Sequence, residues 1–259
     1  MNVDEWKCVM HEMRSCGGAN AVTLSGGEPL LYPGFFELIR AIDEFDVKNL
    51  QVFTNASLID EKTIEGISAL KGATEICASI SGRSTYANVT GGICDYISIL
   101  GRISLCVSTG LPVFVSSILT AENFTEIEDV ARDCFSAGAE GIQFGYVMRE
   151  GAALENRDLW LSLCQRIEIL QRIRALKRMF PDKTIMFSDE SACWCNSLAL
   201  RFVAKACGRK CTMGTSSIVV SPDGYVRPCV HESGRKPFKM FTQDQRGRFE
   251  GAVNGKYMW

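Results

Sequence analysis

The chain has 259 residues, 46% of them hydrophobic, and 28 Lys+Arg against 30 Asp+Glu leave a formal charge of -2. That length builds one large domain, or one domain with an appendage, around a sizeable core. The charge balance excludes the basic footprint of a nucleic-acid or anionic-membrane binder, no apolar run reaches the roughly 18 residues of a membrane span, and Asp4 and Glu5 exclude a signal peptide. The expectation is a cytoplasmic protein whose partners are small molecules or polypeptides.

Trp6, Val9, Met10 and Met13 recur at helical spacing, so the chain opens into an amphipathic helix with no strand before it. Ala21–Leu24 reads as a short strand. A Gly-rich turn follows, then a helix opened by Pro33 that turns Phe36, Leu38, Ile39 and Ile42 inward. Strand patterns at Leu50–Phe53, Glu75–Ile80, Val113–Leu119 and Gly141–Tyr146 then alternate with helical patterns at 60–70, 93–109, 123–137 and 157–179. Asp60 and Asn123 are the expected N-caps of two of these helices.

Strands and helices alternating at this interval imply βαβ units and a parallel sheet, either open and doubly wound or curled into a barrel. The polar residues favour the barrel. Ser25 to Glu28, Thr54 and Asn55, Ser79 and Ser81, and Ser116, Ser117 and Thr120 all fall at or just past strand ends, the face on which barrels build active sites. Each of them taken singly is as well explained as an ordinary loop or cap residue.

The rhythm breaks after Pro181-Asp182, which sets a boundary between residues 1–180 and 181–259. Asn196–Ala206 reads as a short helix, and Ser216–Val220 and Tyr225–Arg227 flank a hairpin turn at Ser221-Pro222-Asp223-Gly224. Of 12 cysteines, six (Cys16, Cys77, Cys94, Cys106, Cys134, Cys164) stand singly in or beside apolar segments, where Cys behaves as a small hydrophobe. The rest of the informative ones crowd into 193–229.

Ser25-Gly26-Gly27-Glu28-Pro29 is by spacing a tight turn, and it lacks the Lys-Ser/Thr of a phosphate-binding loop. With Phe53-Thr54-Asn55-Ala56, Ala78-Ser79-Ile80-Ser81-Gly82 and Val89-Thr90-Gly91-Gly92 following in order at successive strand ends, most of the chain resembles the radical S-adenosylmethionine (radical SAM) enzymes of the branch with a C-terminal SPASM or twitch region. The resemblance implies a partial (β/α)6-type TIM-like barrel over 1–180, its first strand missing and about five parallel strands present, and a truncated hairpin region over 181–259 for an auxiliary cluster. It implies that Gly26, Gly27 and Glu28 hold the amino group of SAM. Thr54, Asn55, Ser79 and Ser81 line the same pocket toward ribose and carboxylate. Two departures stand out: Thr-Asn-Ala replaces Thr-Asn-Gly, and Ser81 replaces the aspartate of Ser-Leu-Asp-Gly.

Cys211, twelve residues, Gly224, four residues, Cys229 fits the opening spacing of the SPASM/twitch pattern, with Cys207 as the nearest third ligand of a 4Fe-4S cluster. A zinc site from Cys193, Cys195, Cys207 and His231 is the competing metal reading. The Cys-x3-Cys-x2-Cys loop of the catalytic cluster is absent from the sequence. The expected function is therefore that of a radical SAM/SPASM-type oxidoreductase, in fragment form and inactive as given, acting on a peptide or protein with a reductase partner. The alternative is a non-catalytic binding protein that keeps the barrel surface.

Overall fold

The computed structural model describes residues 1–92, 94–149, 151–188, 216–227 and 238–239. The chain divides into two compact units, one of Asn20–Ser188 and one of Met1–Ala19 with Asp189–Trp259.

In the first unit, β1 (Ala21–Leu24) leads through a 3-10 turn at Pro29–Leu31 to α2 (Phe35–Glu44), α1 (Val3–Ser15) belonging to the other unit. Next come β2 (Asn49–Thr54), α3 (Glu61–Ser68), β3 (Ala73–Ser79), α4 (Tyr86–Thr90), α5 (Tyr96–Ser108), β4 (Val113–Leu119) and α6 (Ile127–Ser136). The unit finishes with β5 (Gly141–Tyr146), α7 (Ala152–Glu155), α8 (Leu163–Met179) and β6 (Thr184–Ser188). The strands lie in the order β1-β2-β3-β4-β5-β6, and every pair is parallel. Among the described residues β1 and β6 are the edges of this sheet.

Helices join the successive parallel strands, and because crossovers of this kind are almost always right-handed they fall on one face of the sheet. Under them Val52, Ala78, Val113, Val115, Ile142 and Phe144 are fully buried. The alternate residues face the other way, where Ile118 is 48% and Met186 44% exposed. This is an α/β fold with the strand order of a (β/α)6 barrel, and six strands stand where about five were expected. The sixth carries the sheet beyond residue 180, because Pro181-Asp182 is a turn into β6 and not an exit from the fold. No helix of the described residues is long and apolar enough to cross a membrane.

Local chemistry explains the starts of several helices. Asp60 caps α3, accepting from the Thr63 N–H (2.8 Å) and hydroxyl (2.7 Å), and these bonds hold its carboxyl below the usual range. Asp95 caps α5 through Ser98, and Ser162 with Gln165 forms a capping box on α8. Asn123 caps no helix by its side chain. It instead accepts from Thr120 N–H (2.8 Å) and donates to Ile118 C=O (3.0 Å), bracing the loop after β4. Pro33 lies before α2, whose N-cap is Gly34, and Phe35 is buried where Phe36 is only partly so.

Of the isolated cysteines, Cys77, Cys106 and Cys134 are buried, and burial pushes their thiols up to about 12, 11 and 12. Cys164 is exposed, in the first turn of α8, against expectation.

The described part of the second unit contains α1 and a hairpin. Asn2 and Glu5 form a capping box on α1. Val9 of α1 packs on Val226 of the hairpin, with Trp6, Met13, Ile218 and Val220 around them. β7 (Val219–Val220) and β8 (Tyr225–Arg227) pair antiparallel through the expected turn, closed by Gly224 N–H to Ser221 C=O at 2.9 Å, with Gly224 at φ +82°. β9 (Phe238–Lys239) adds to β8. Cys193, Cys195, Asn196–Ala206, Cys207, Cys211, Cys229 and His231 lie outside the described residues.

Ala56 explains one departure from the motif. It has φ +60° and is fully buried, with its N–H on Thr54 Oγ1 (3.0 Å) and its C=O accepting from Arg102 Nη1 (3.0 Å). A left-handed alanine costs about 1–2 kcal/mol, which offsets the roughly 0.8 kcal/mol from its buried methyl and the roughly 0.5–1 kcal/mol entropy advantage over glycine. Ala56→Gly should thus change stability by less than about 0.5 kcal/mol in urea denaturation. A loss above about 1.5 kcal/mol would show that the methyl carries the position.

Candidate active site at the strand ends

The loop after β1 is shaped by glycine. Gly26 has φ +146°, and a Cβ on Gly26 or Gly27 would meet nothing within 4 Å. Neither the N–H nor the C=O of these two residues has a hydrogen-bond partner among the described residues. The loop therefore offers backbone donors and acceptors to open space.

Glu28 anchors that loop. Its carboxylate accepts from Leu30 N–H (3.1 Å), Thr54 Oγ1–H (2.6 Å) and Asn55 N–H (2.8 Å), tying the end of β1 to the end of β2. Three of about four lone-pair positions are used, leaving one for a ligand. Thr54, 1% exposed, gives its hydroxyl to Glu28 and accepts from Ala56 N–H, so it stands behind the loop and supports it. Asn55 turns its Oδ1 back to Ser57 N–H (2.8 Å), and its amide nitrogen has no partner among the described residues.

Ser79 ends β3, partly buried, opposite Ser116 of β4 on the open face of the sheet. Its hydroxyl has no partner among the described residues. Ser81 is 9% exposed, and its Oγ is a buried polar atom without a hydrogen bond. Such an orphan costs about 1–3 kcal/mol unless something satisfies it. Gly82, next to it, packs tightly: a Cβ there would lie 2.5 Å from Asn123 Cβ. The loop is tied down further by Glu126, whose carboxylate accepts from the N–H and hydroxyl of Ser84. Ser117 and Thr120 are buried, Ser117 on the helix-covered face.

Sequence reasoning missed two supports. Arg102, on α5, holds the Ala56 carbonyl, and Glu126 holds the Ser84 loop. Both act over more than forty positions of sequence, and no local spacing announces them.

Gly26, Gly27, Glu28, Asn55, Ser79 and Ser81 therefore all lie at the C-terminal ends of three neighbouring strands. Metal ligation is different. Among the described residues no group of three His, Cys, Asp or Glu could hold a metal, and Cys77, Cys106 and Cys134 are kept protonated by burial. These residues do not fit a three-thiolate iron–sulfur cluster. Cys207, Cys211 and Cys229, the expected auxiliary ligands, lie outside the described residues.

No family model matches the chain. It is 26% identical over 231 residues to the sporulation killing factor maturation protein SkfB of Bacillus subtilis (strain 168), an alignment covering 88% of this chain and 53% of SkfB. The chain thus spans about half the length of that relative. Its fold matches Streptococcus suis SuiB bound to S-adenosylmethionine with a TM-score of 0.74 at 14% identity, over 99% of this chain and 60% of SuiB. SuiB bound to the precursor peptide SuiA matches at 0.76 and 13%, over 98% and 59%. Native anSMEcpe with bound AdoMet and Kp18Cys peptide matches at 0.68 and 17%, over 98% of this chain and 74% of that one. The structural likenesses establish a shared fold, and the alignment to SkfB takes in most of the sequence, so in both respects the chain resembles the kind of protein to which its strand-end motifs point.

Proposed function

We propose that this chain binds SAM at the ends of β1, β2 and β3 and forms the SAM-binding barrel of a radical SAM oxidoreductase that modifies a peptide or protein. Two observations at the same end of the sheet carry the reading: the buried, unsatisfied Ser81 hydroxyl after β3, and the glycine loop after β1 whose backbone groups face open space. A polar ligand at the strand ends accounts for both.

In this reading the Gly26 and Gly27 carbonyls and the remaining lone pair of Glu28 accept from the SAM ammonium. Thr54 holds Glu28 in place and does not touch the ligand. Asn55, Ser79 and Ser81 donate to, or accept from, the carboxylate and ribose hydroxyls. SAM supplies an activated sulfonium whose reductive cleavage gives a carbon radical. The 259-residue sequence carries no Cys-x3-Cys-x2-Cys spacing to hold a cluster for that reduction, so it is proposed by itself to bind SAM without cleaving it. A reductase partner, an auxiliary cluster on Cys207, Cys211 and Cys229, and a cytoplasmic location belong to the same reading. The missing Cys-x3-Cys-x2-Cys motif favours a second one for the chain alone, a binding protein that retains the peptide-facing surface.

Ser81→Ala tests the reading, because a purely structural hydroxyl and a ligand-binding one give opposite results. Removing an unsatisfied buried hydroxyl should leave stability unchanged or raise it by about 1 kcal/mol, while the loss of one ligand hydrogen bond weakens SAM binding about five- to tenfold by calorimetric titration. No SAM binding by the native chain, or unchanged affinity in Ser81→Ala together with lower stability, would refute it.

A further inference from the structure

Among the described residues only Asp46 and Ala56 place a residue other than glycine at positive φ, at +58° and +60°. Aspartate enters this region readily because its side chain can bond locally, whereas alanine has no such means. A conformation of this kind lasts only where its surroundings fix it. At Ala56 they do so from both sides. Its N–H donates to Thr54 Oγ1 at 3.0 Å, and its C=O accepts from Ile59 N–H at 3.3 Å and from Arg102 Nη1 at 3.0 Å. The first two bonds stay within the turn. Arg102 reaches in from α5, 46 positions along the chain. It is partly buried, forms this one hydrogen bond, and has no ion pair among the described residues.

We propose that Arg102 is a positioning residue for the strand-end site, which holds Ala56 left-handed and through it orients the side chain of Asn55 toward the ligand. The inference rests on the reading that SAM binds at these strand ends. The Ala56 C=O and the Ser57 N–H belong to one rigid peptide plane. That N–H is the donor that fixes Asn55 Oδ1, at 2.8 Å. Arg102 therefore acts on Asn55 through a single peptide group, and a carbonyl that accepts from a cation also strengthens the donor at the other end of its peptide. Without the guanidinium, Ala56 can relax to negative φ by swinging this plane, and Asn55 then loses the bond that aims its amide nitrogen. The Asn55 N–H, on Glu28 Oε2 at 2.8 Å, lies in the preceding peptide and is disturbed less. Alanine in place of the motif's glycine and an arginine on α5 thus form a pair, the second compensating the strain of the first.

The experiment compares Arg102→Met, which keeps an unbranched apolar stem in place of the arginine's, in the native chain and in the Ala56→Gly background. Glycine adopts the left-handed conformation without strain, so there the guanidinium has little left to hold. By calorimetric titration with SAM, Arg102→Met should lose about five- to tenfold in affinity in the native chain and less than about twofold in the Ala56→Gly background. In proton–nitrogen correlation spectra the Ser57 amide should move upfield in Arg102→Met and return in the double variant. An arginine that only supports the fold would lower stability in both backgrounds and leave SAM affinity unchanged. That result, or an equal loss of affinity in both backgrounds, overturns the proposal. The spectra separate the two readings. SAM bound with the Ser57 amide unmoved in Arg102→Met sinks the Arg102 role alone, whereas the expected Ser57 pattern in a chain that binds no SAM upholds the hold on Asn55 and sinks the cofactor site.

Discussion

Glu28→Ala should abolish measurable SAM binding and lower stability by about 2–4 kcal/mol in urea denaturation. The carboxylate takes three hydrogen bonds, from Leu30 N–H, Thr54 hydroxyl and Asn55 N–H. Bonds to a charged acceptor contribute about 1.5–3 kcal/mol each where water cannot replace them. Here the side chain is only partly buried, so water recovers part of the loss, which sets the total below the simple sum. Alanine also leaves the Thr54 hydroxyl, 1% exposed, without its acceptor. The loop at Gly26 and Gly27 then loses its tie to β2, and its backbone groups are no longer held in one arrangement. Glu28→Gln discriminates between holding the loop and contacting the ligand. The amide oxygen can still accept on one side, so this variant should recover at least half of the stability that alanine loses. Its N–H₂, however, stands where Asn55 N–H needs an acceptor, and it offers no negative charge to an ammonium. Full stability together with full SAM affinity in Glu28→Gln would show that the charge has no role in binding.

The alternation of strands and helices is written in the sequence because each strand is covered on one face and each helix has a single buried side. The bounds of β1, β4 and β5 coincide with their apolar patterns. β6 is different: as an edge strand of five residues it leaves Thr184, Met186 and Ser188 exposed, and its pattern is too short and too polar to stand out after Pro181-Asp182. α4, five residues long, is too short to show a helical period. Asn123 illustrates a different limit. Its position before a helical pattern suggests a cap, but the strand end behind it offers Thr120 N–H and Ile118 C=O, and a side chain that can bond both closes the loop. At the site, the motif residues are visible one by one, while what organises them is not. The partners of Glu28 in β2 and just past it lie 26 and 27 positions further along the chain. Likewise Ser81, which looks like the weakest member of the set because it replaces a carboxylate, is the one whose hydroxyl is buried without a partner.

Gly82→Ala should cost about 2–4 kcal/mol, although glycine to alanine at an open helical position of this chain is expected to help. A Cβ at Gly82 would sit 2.5 Å from Asn123 Cβ, 2.6 Å from Glu126 Oε2 and 2.8 Å from Thr85 Oγ1. None of these neighbours can step back freely. Asn123, 2% exposed, is held at both ends of its amide by Thr120 and Ile118, and Glu126 is engaged with Ser84. The added methyl must therefore push the 80–85 segment away from the start of α6, and Ser81 moves with it. SAM affinity should fall along with stability, which distinguishes this site from a purely structural glycine. Gly101, exposed in the middle of α5 with nothing within 4 Å of a new Cβ, is the control: Gly101→Ala should stabilise by about 0.5–1 kcal/mol through helix propensity and leave SAM binding unchanged. If both substitutions shift the urea midpoint alike, the packing at Gly82 is looser than these distances describe, and the rigid seat they give to Ser81 is lost with it.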